Sequence, residues 1–204
     1  MNNFNFCSPT RFLFGRGEET RVGEYAASFG AKKVLVLHYG TGLDFENQLM
    51  DRVFASLRDA GLTWTDFTGI KPNPTVERAE EGAALVREQH IDFLLPVGGG
   101  SVIDTAKYIA VAALHEGSVW EDFFLKKAPV RAALPVGAVN TLPGTGSEGS
   151  MSAVITNGVL KRSLNDDKIR PVFAVMNPEL SFTLPPFQTA SGAVDMMAHI
   201  LERY

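Results

Sequence analysis

The sequence predicts an α/β fold, with a mostly parallel sheet that carries helices on both faces. Strand patterns alternate with helix patterns along the 204 residues, and this alternation is typical of βαβ units. Several strand segments, such as KVLVL and FLLPV, are continuous apolar runs. Such runs are expected for strands that are buried on both faces.

The first half of the chain contains three predicted strands and two predicted helices. NFNF and RFLFG are short strand patterns that we expect to form a hairpin around Ser8 and Pro9. A helix is predicted over 18–29 and ends at Gly30, and KVLVL follows it as a buried strand. The next helix pattern spaces its apolar residues along one face and ends at Gly61, a typical C-terminal glycine.

The second half continues the alternation. TWTDF is a short strand, and Thr75 is predicted to cap the helix VERAEEGAALVREQ. FLLPV leads through three glycines into the helix SVIDTAKYIAVAAL, and AALPVGAV, SAVIT and PVFAVM are three further predicted strands. Pro185 and Pro186 mark a predicted boundary between an α/β domain over 1–184 and the start of a helical domain over 185–204.

Composition excludes several classes of partner. A net charge of −4 provides no basic field for nucleic acid or anionic lipid. No apolar run approaches the roughly 18 residues of a membrane span, and the N-terminus does not resemble a signal peptide. Cys7 is the only cysteine and cannot form an internal disulfide. We therefore expect a cytoplasmic protein that acts on a small molecule.

Gly98, Gly99 and Gly100 lie between a buried strand and a helix that begins near Ser101. Glycines allow backbone angles barred to other residues and let a ligand approach the main chain. The helix N-terminus supplies N–H groups and a positive dipole end that suit a diphosphate. The spacing departs from the usual dinucleotide fingerprint because Ile103 occupies the third glycine position. A tight turn without a ligand is the alternative.

TLPGTGSE follows the next buried strand, so both loops should emerge at the same edge of a parallel sheet, where ligands bind. The hydroxyl groups of Thr141, Thr145 and Ser147 are candidates for bonds to ribose and phosphate oxygens. A polar turn without a ligand explains this loop equally well.

Asp195 and His199 are four residues apart in a predicted helix, so they project from one face. A carboxylate with an imidazole suits zinc or ferrous iron, and such a metal beside a nicotinamide would polarise a carbonyl oxygen. A surface ion pair is the alternative. The other histidines, at positions 38, 90 and 115, have no ligand spacing.

The turn after the second strand bears on coenzyme choice. An acidic residue at this place usually holds the ribose 2′-hydroxyl and repels a 2′-phosphate. Here the strand is followed by Gly40, Thr41 and Gly42, with no carboxylate before Asp44. This turn favours NADP(H) over NAD(H).

Taken together, TRFLFG, KPNP, VGGGSVID, TLPGTGSE and GAVDMMAHILE resemble the iron-containing alcohol dehydrogenase family in residues and in order. The resemblance covers essentially the whole chain and is greatest to the butanol-dehydrogenase-like, NADPH-dependent aldehyde reductase branch. It implies a dehydroquinate-synthase-like nucleotide-binding domain, an all-helical second domain and an active site between them. It also implies an NAD(P)-dependent enzyme for aldehydes and primary alcohols, and a homodimer. The branch has YGGGS where this chain reads YGTGL, without the serine.

The resemblance also implies roles for single residues. GGGS matches the diphosphate loop, Lys161 matches a lysine near the nicotinamide ribose, and Asp195 and His199 match the first two metal ligands. No side chain matches a general acid, so the proton is expected from water or the coenzyme ribose. The residues predicted to bind coenzyme are Gly40, Thr41, Gly42, Asn73, Gly98, Gly99, Gly100, Ser101, Asp104, Thr141, Thr145, Ser150 and Lys161.

Such enzymes have two further histidine ligands in the helical domain. We therefore expect the chain to contain the nucleotide-binding half and the first helix of the other half, with incomplete catalysis. One alternative is a catalytically inactive nucleotide-binding or interaction module. Another is a glycerol-dehydrogenase-like enzyme of the same fold, against which TLPGTGSE argues.

Overall fold

In a computed structural model, which describes residues 7–202, six strands form a wholly parallel sheet and two more form an antiparallel hairpin. The strands are β1 (Arg11–Phe14), β2 (Lys33–Leu37), β3 (Thr63–Phe67), β4 (Phe93–Gly98), β5 (Gly137–Asn140), β6 (Ser152–Asn157), β7 (Leu160–Asn165) and β8 (Phe173–Met176). The helices are α1 (Val22–Ser28), α2 (Asp44–Asp59), α3 (Val76–Gln89), α4 (Gly100–Ala112) and α5 (Pro186–Leu201). The sheet order is β1-β8-β5-β4-β2-β3, and β6 pairs with β7.

Helices cover both faces of the sheet, as the continuous apolar strands predicted. Successive side chains of β2 point to opposite faces, so Val34 and Val36 pack with α1 and α2 in one apolar cluster. Leu35 and Leu37 pack with α3 and α4 in the other cluster. The sheet is therefore buried on both faces.

The two glycines predicted at helix C-termini and the cap predicted at Thr75 are confirmed, although α1 begins at Val22 after a 3-10 turn over Glu18–Arg21. Gly30 and Gly61 follow α1 and α2 in the left-handed region, with φ of 88° and 72°, which glycine adopts at little cost. Thr75 caps α3, because its Oγ1 accepts a hydrogen bond from the backbone N–H of Arg78 at 3.5 Å.

The first described strand forms as predicted, and a polar strand forms that was not predicted. RFLF does form β1, and β1 pairs in parallel with β8; the NFNF strand and its hairpin pairing lie outside the described residues. Strand β7 was not predicted, because LKRSLN alternates too weakly in hydropathy to indicate a strand. Backbone hydrogen bonds to β6 hold this segment as a strand even though its own sequence pattern does not favour one.

The strand order changes direction between β2 and β4. The chain moves outward from β2 to β3, whereas β4 leads to β5 on the other side. The crevice at the carboxyl ends of two such strands is the usual ligand site in α/β sheets. The loops at 38–42 and 98–100 therefore meet at this crevice.

Helix α5 begins at Pro186 and lies against the loop after β5. A Cβ added at Gly192 would lie 2.8 Å from the carbonyl oxygen of Pro143. Much of the rest of the helix is exposed, including Val194, Met197 and Leu201. The division into two domains at this point stays a prediction. Within residues 7–202, no helix has the length and hydropathy needed to cross a membrane.

Candidate functional site

Two cavities flank the glycine turn at the carboxyl edge of the sheet. The first, the cleft, has a volume of about 1030 Å³ and is lined by Gly100 and Ser101 at the start of α4. The second, the side pocket, has a volume of about 570 Å³ and is lined by Thr41, Thr141 and neighbouring apolar side chains. An elongated ligand that crosses the glycine turn would reach both.

The three glycines are explained by close packing rather than by unusual backbone angles. None of them is among the positive-φ residues of the described chain, so the expectation of backbone angles barred to other residues was wrong. A Cβ at Gly98 would lie 2.5 Å from a methyl carbon of Val102, and one at Gly100 would lie 2.7 Å from Oγ1 of Thr145. Because these positions carry no side chain, neighbouring side chains such as that of Thr145 can pack directly against the backbone at the start of α4.

Gly99 lies where the three loops of the edge converge. A Cβ at this position would lie 3.1 Å from Cβ of Leu142 and 3.2 Å from the hydroxyl of Tyr39. Burial raises the pKa of the Tyr39 hydroxyl, and its hydrogen bond with the Gly99 backbone opposes that rise. The loops after β2, β4 and β5 thus touch one another at the turn.

The cleft gathers residues that are far apart in the sequence. Predicted coenzyme-binding residues on its wall come from the loop after β3, from α4, from the loop after β5 and from the hairpin, and one predicted metal ligand comes from α5. These residues are Asn73, Gly100, Ser101, Asp104, Thr145, Ser150, Lys161 and His199. Thr41 and Thr141 lie in the side pocket.

Lys161 and Asn73 form a polar pair on the cleft wall. The Lys161 Nζ donates to Oδ1 of Asn73 at 2.8 Å, although the two residues are 88 positions apart. Asn73 has a φ of 57°, which asparagine tolerates better than most residues. The pair connects the loop after β3 to the β6–β7 hairpin. It also places the ammonium group of Lys161 at the wall of the cleft.

Asp104 organises the cleft wall from within the protein. Its Oδ1 accepts from the Ser147 hydroxyl at 2.6 Å, and its Oδ2 accepts from the backbone N–H of Val154 at 3.0 Å. Burial raises the pKa of this carboxyl, while the cation of Lys107 and these hydrogen bonds act against the rise. The structure thus gives Asp104 a positioning role, although it also lines the cleft.

Lys107 also belongs to this wall, although nothing in the sequence led us to predict it. Its side chain is fully buried, and its ammonium group contacts three backbone carbonyls, those of Ser147, Ser150 and Ser152, at 2.7 to 2.9 Å. Burial lowers the pKa of Lys107 to about 8 against the attraction of Asp104. The sequence feature that could have indicated this role is a lysine three residues after an aspartate in a mostly apolar helix.

Glu46 is a second missed residue. Its carboxylate accepts from the backbone N–H groups of Gly40 at 2.9 Å and Thr41 at 2.6 Å, from the Thr41 hydroxyl and from Nδ1 of His38 at 3.0 Å. Burial acts to raise the pKa of Glu46, but these hydrogen bonds outweigh it and hold the pKa at about 2. Gly40 and Gly42 have φ of 73° and 71°, so this turn does need glycine.

The candidate metal ligands lie on one face of α5. Oδ1 of Asp195 is 3.6 Å from Nε2 of His199, and about half of each side chain is exposed. Two ligand atoms of a tetrahedral zinc site are about 3.4 Å apart, given metal–ligand bonds of about 2.1 Å. The pair therefore fits two positions of a metal site. Among the described residues, no group of three or more histidine, cysteine, aspartate or glutamate side chains is placed to hold a metal.

The loop after β5 connects this pair to the glycine turn. A Cβ at Gly144 would lie 3.2 Å from Oδ2 of Asp195, while Thr145 packs on Gly100. The TLPGTGSE segment therefore contacts the start of α4 on one side and the carboxylate of α5 on the other. A ligand in the cleft would contact both the glycine turn and His199.

Comparisons with known proteins agree with this arrangement. Residues 9–178 match the family model described as iron-containing alcohol dehydrogenase. The chain is 42% identical over 206 residues to the "Probable NADH-dependent butanol dehydrogenase 1" of Bacillus subtilis (strain 168). It is 40% identical over 208 residues to the "NADPH-dependent aldehyde reductase YqhD" of Escherichia coli (strain K12). Each match covers 100% of this chain and 52% of the relative.

A solved structure shows the same fold. The NADH-dependent butanol dehydrogenase A of Thermotoga maritima superposes with a TM-score of 0.93 at 40% identity, over 99% of this chain and 51% of that one. The chain thus spans about half the length of the relatives it matches. The family model covers most of its residues. The chain belongs to the iron-containing alcohol dehydrogenase family.

Proposed function

We propose that this chain is the coenzyme-binding part of a metal-dependent oxidoreductase that transfers a hydride between NAD(P)H and an aldehyde or primary alcohol. One observation carries the proposal: the start of α4, the ammonium group of Lys161 and the imidazole of His199 line a single cleft. A site for a diphosphate and a candidate metal ligand around one cleft suit a coenzyme that meets a polarised carbonyl group. The names of the relatives support this substrate class.

The residues of the chain have distinct tasks in this proposal. N–H groups at Gly100 and Ser101, together with the positive end of α4, bind the diphosphate. The side pocket beside Thr141 takes the adenosine half, and Lys161 lies on the nicotinamide half in the cleft. Because Asp104 holds the backbone of the cleft wall, it keeps that wall in place. The coenzyme supplies the hydride.

Asp195 and His199 would hold two positions of a divalent metal, iron or zinc. Such a metal supplies a Lewis acid that stabilises negative charge on a substrate oxygen. In the described chain, no side chain is assigned as a general acid, and water or the coenzyme ribose is proposed to provide the proton. The homodimer and the cytoplasmic location remain predictions.

Binding of coenzyme without turnover is the second candidate. It is favoured by the ligand set, since the described residues provide two metal ligands where about four are needed. A two-ligand site competes poorly with water for a metal. In that case, the chain would bind NAD(P)H but leave an aldehyde unchanged.

The deciding experiment measures NADH and NADPH oxidation by the 204-residue chain with butyraldehyde, with ferrous iron or zinc added and again with a chelator. Turnover that the chelator abolishes supports the oxidoreductase. Coenzyme binding without turnover supports the second candidate. A folded sample that binds neither coenzyme contradicts both.

The Gly99→Val variant tests the coenzyme site itself. A branched side chain at this position would meet Leu142 and Tyr39 and would stand where the diphosphate approaches. We expect coenzyme affinity to fall by at least about tenfold, measured by fluorescence titration of NADH and NADPH. Thermal unfolding of the variant shows whether the fold is retained. Unchanged affinity would refute the assignment of the diphosphate turn.

A further inference from the structure

The turn after β2 has the form of an anion-binding nest that is already filled. Successive backbone N–H groups in such a turn point toward one place and bind negative charge. Here the N–H groups of Gly40 and Thr41 both donate to the carboxylate of Glu46, at 2.9 and 2.6 Å. The Thr41 hydroxyl and His38 donate to the same carboxylate. The nest therefore holds an anion from the protein itself.

The carboxylate is fixed in this position. Glu46 is only 7% exposed, and it lies in the first turn of α2, whose dipole favours a negative charge there. His38, which holds Oε1 of Glu46 through its Nδ1, is itself held by Asp66 through Nε2 at 2.8 Å. An incoming anion would have to displace a buried ion from four donors.

The turn lies next to the glycine turn, since β2 is hydrogen-bonded to β4 in the sheet. Glu46 and Thr41 line the side pocket together with Thr141 and Leu142, whose loop contacts Gly99. A dinucleotide with its diphosphate on the glycine turn would place its adenosine ribose in this pocket. This step rests on the proposed function.

The other charged side chains that line the side pocket are each already paired with an opposite charge. Arg52 is the one cationic side chain among its described lining residues, and its Nε is paired with Glu19 at 2.9 Å. The remaining charged lining residue, Glu179, is an anion paired with Arg16 at 3.0 Å. Among the described lining residues, a phosphate group would therefore meet no cation that lacks a carboxylate partner.

We propose that Glu46 makes this coenzyme site selective for NAD(H) over NADP(H). A 2′-phosphate would bring negative charge against this carboxylate and would find the N–H groups of Gly40 and Thr41 already in use, whereas a neutral ribose 2′-hydroxyl brings no charge and needs neither N–H group. This inference opposes the NADP(H) preference drawn from the sequence. The sequence-based preference depended on the absence of a carboxylate directly after β2. In the structure, the carboxylate at this turn comes from Glu46, in the first turn of the following helix.

The test compares affinities for coenzymes that differ only in the 2′-phosphate. Fluorescence titration of the chain with NADH and with NADPH should show NADH binding at least about tenfold more tightly. Calorimetric titration with 5′-AMP and with 2′,5′-ADP, which also differ only in the 2′-phosphate, should give the same order and isolates the adenosine half.

Variants identify the residue responsible. Glu46→Gln should reduce the NADH-to-NADPH affinity ratio by at least about threefold, because it removes the charge and leaves one turn N–H without an acceptor. Asp44→Asn is the matched control. It removes an exposed carboxylate two residues away, the first one after the strand, and should leave the ratio within about twofold.

Equal or tighter binding of NADPH by the wild-type chain would overturn the inference, whether or not the variants fold. An unchanged ratio in a folded Glu46→Gln variant would overturn the assignment to Glu46. Failure to bind either coenzyme, or 5′-AMP, would instead refute the proposed function on which the inference rests, and both would fall together.

Discussion

At the scale of the residue, Lys107 shows how a buried charge can support the wall of the cleft without facing into it. Its Nζ lies 2.7 to 2.9 Å from four oxygen atoms of the segment 147–152. An ammonium group has three protons, so it satisfies carbonyls that would otherwise be buried without donors. The segment that lines the cleft is therefore held against α4 by hydrogen bonds from the Lys107 ammonium group.

Replacing Lys107 by methionine tests this role. The substitution keeps the apolar stem but leaves several carbonyls and the Asp104 carboxylate without their cation. We expect the free energy of unfolding to fall by about 3 to 5 kcal/mol, measured by urea denaturation. Lys126→Met is the control, because Lys126 is exposed and paired with Asp122 on the surface, and it should cost less than about 1 kcal/mol. Equal effects of the two substitutions would contradict the role of Lys107.

Glu46 makes stability depend on pH in the acid range. Its pKa in the folded state is about 2, below the ordinary value of 4.5. The unfolded chain therefore binds a proton more readily, so the stabilisation is complete above about pH 4.5 and is lost as the pH falls toward 2. The shift corresponds to roughly 3 kcal/mol at neutral pH.

We therefore expect the difference in unfolding free energy between wild type and Glu46→Gln to shrink as the pH is lowered from 7 to 3. Urea denaturation at several pH values measures it. Asp44→Asn, which removes an exposed carboxylate of the same helix, should show little change with pH. A difference that stays constant across this range would contradict an ionised, hydrogen-bonded Glu46.

At the scale of the element, α5 owes its position to a small contact with the loop after β5. Gly192 faces the carbonyl of Pro143, and Asp195 lies against Gly144. Most other side chains of this helix are exposed. The position of the metal-ligand pair over the cleft therefore depends on the absence of a side chain at Gly192.

Substitution of Gly192 by valine should separate α5 from that loop. Valine is a better helix former than glycine, so loss of order would have to come from the clash, in which its Cβ would stand 2.8 Å from the Pro143 oxygen. We expect faster hydrogen–deuterium exchange across 186–201 and unchanged exchange in the sheet. Ala193→Val, on an exposed position of the same helix, is the control. Slow exchange in the Gly192→Val helix would show that this contact does not hold it.

At the scale of the whole molecule, the proposed coenzyme site and metal-ligand pair belong to different elements. The predicted coenzyme residues lie on loops of the sheet edge, at the start of α4 and on the β6–β7 hairpin, and apolar clusters support both faces of the sheet. The predicted metal-ligand pair lies on a mostly exposed helix. Because the two parts share few contacts, damage to one should leave the other intact.

Asp195→Ala should therefore weaken metal binding and leave coenzyme affinity within about twofold. Calorimetric titration with zinc measures the first effect, and fluorescence titration with NADH measures the second. Glu202→Ala, at the end of the same helix, serves as control for the loss of a carboxylate. Unchanged zinc affinity in Asp195→Ala would count against the ligand assignment. A large loss of coenzyme affinity would show that the two sites are coupled.

Much of the fold could be read from the sequence, because the patterns concerned are local. A buried parallel strand is a continuous apolar run, and a helix end carries a capping threonine or a glycine, so β2, β4, Thr75 and Gly61 were all predictable. The glycine turn and the Asp195–His199 pair were visible for the same reason. Strand β7 was missed because a polar strand is stabilised by its partner rather than by its own pattern.

Tertiary structure alone decided which side chains the loops of the site meet. The role of Glu46 could not be predicted from the sequence, because it depends on α2 placing the carboxylate against the N–H groups of Gly40 and Thr41. Lys107 is one lysine among many until the fold buries it beneath three carbonyls 40 or more residues away. Hydrogen bonds and burial between distant segments have no local signature, because they depend on which loops the sheet order brings together.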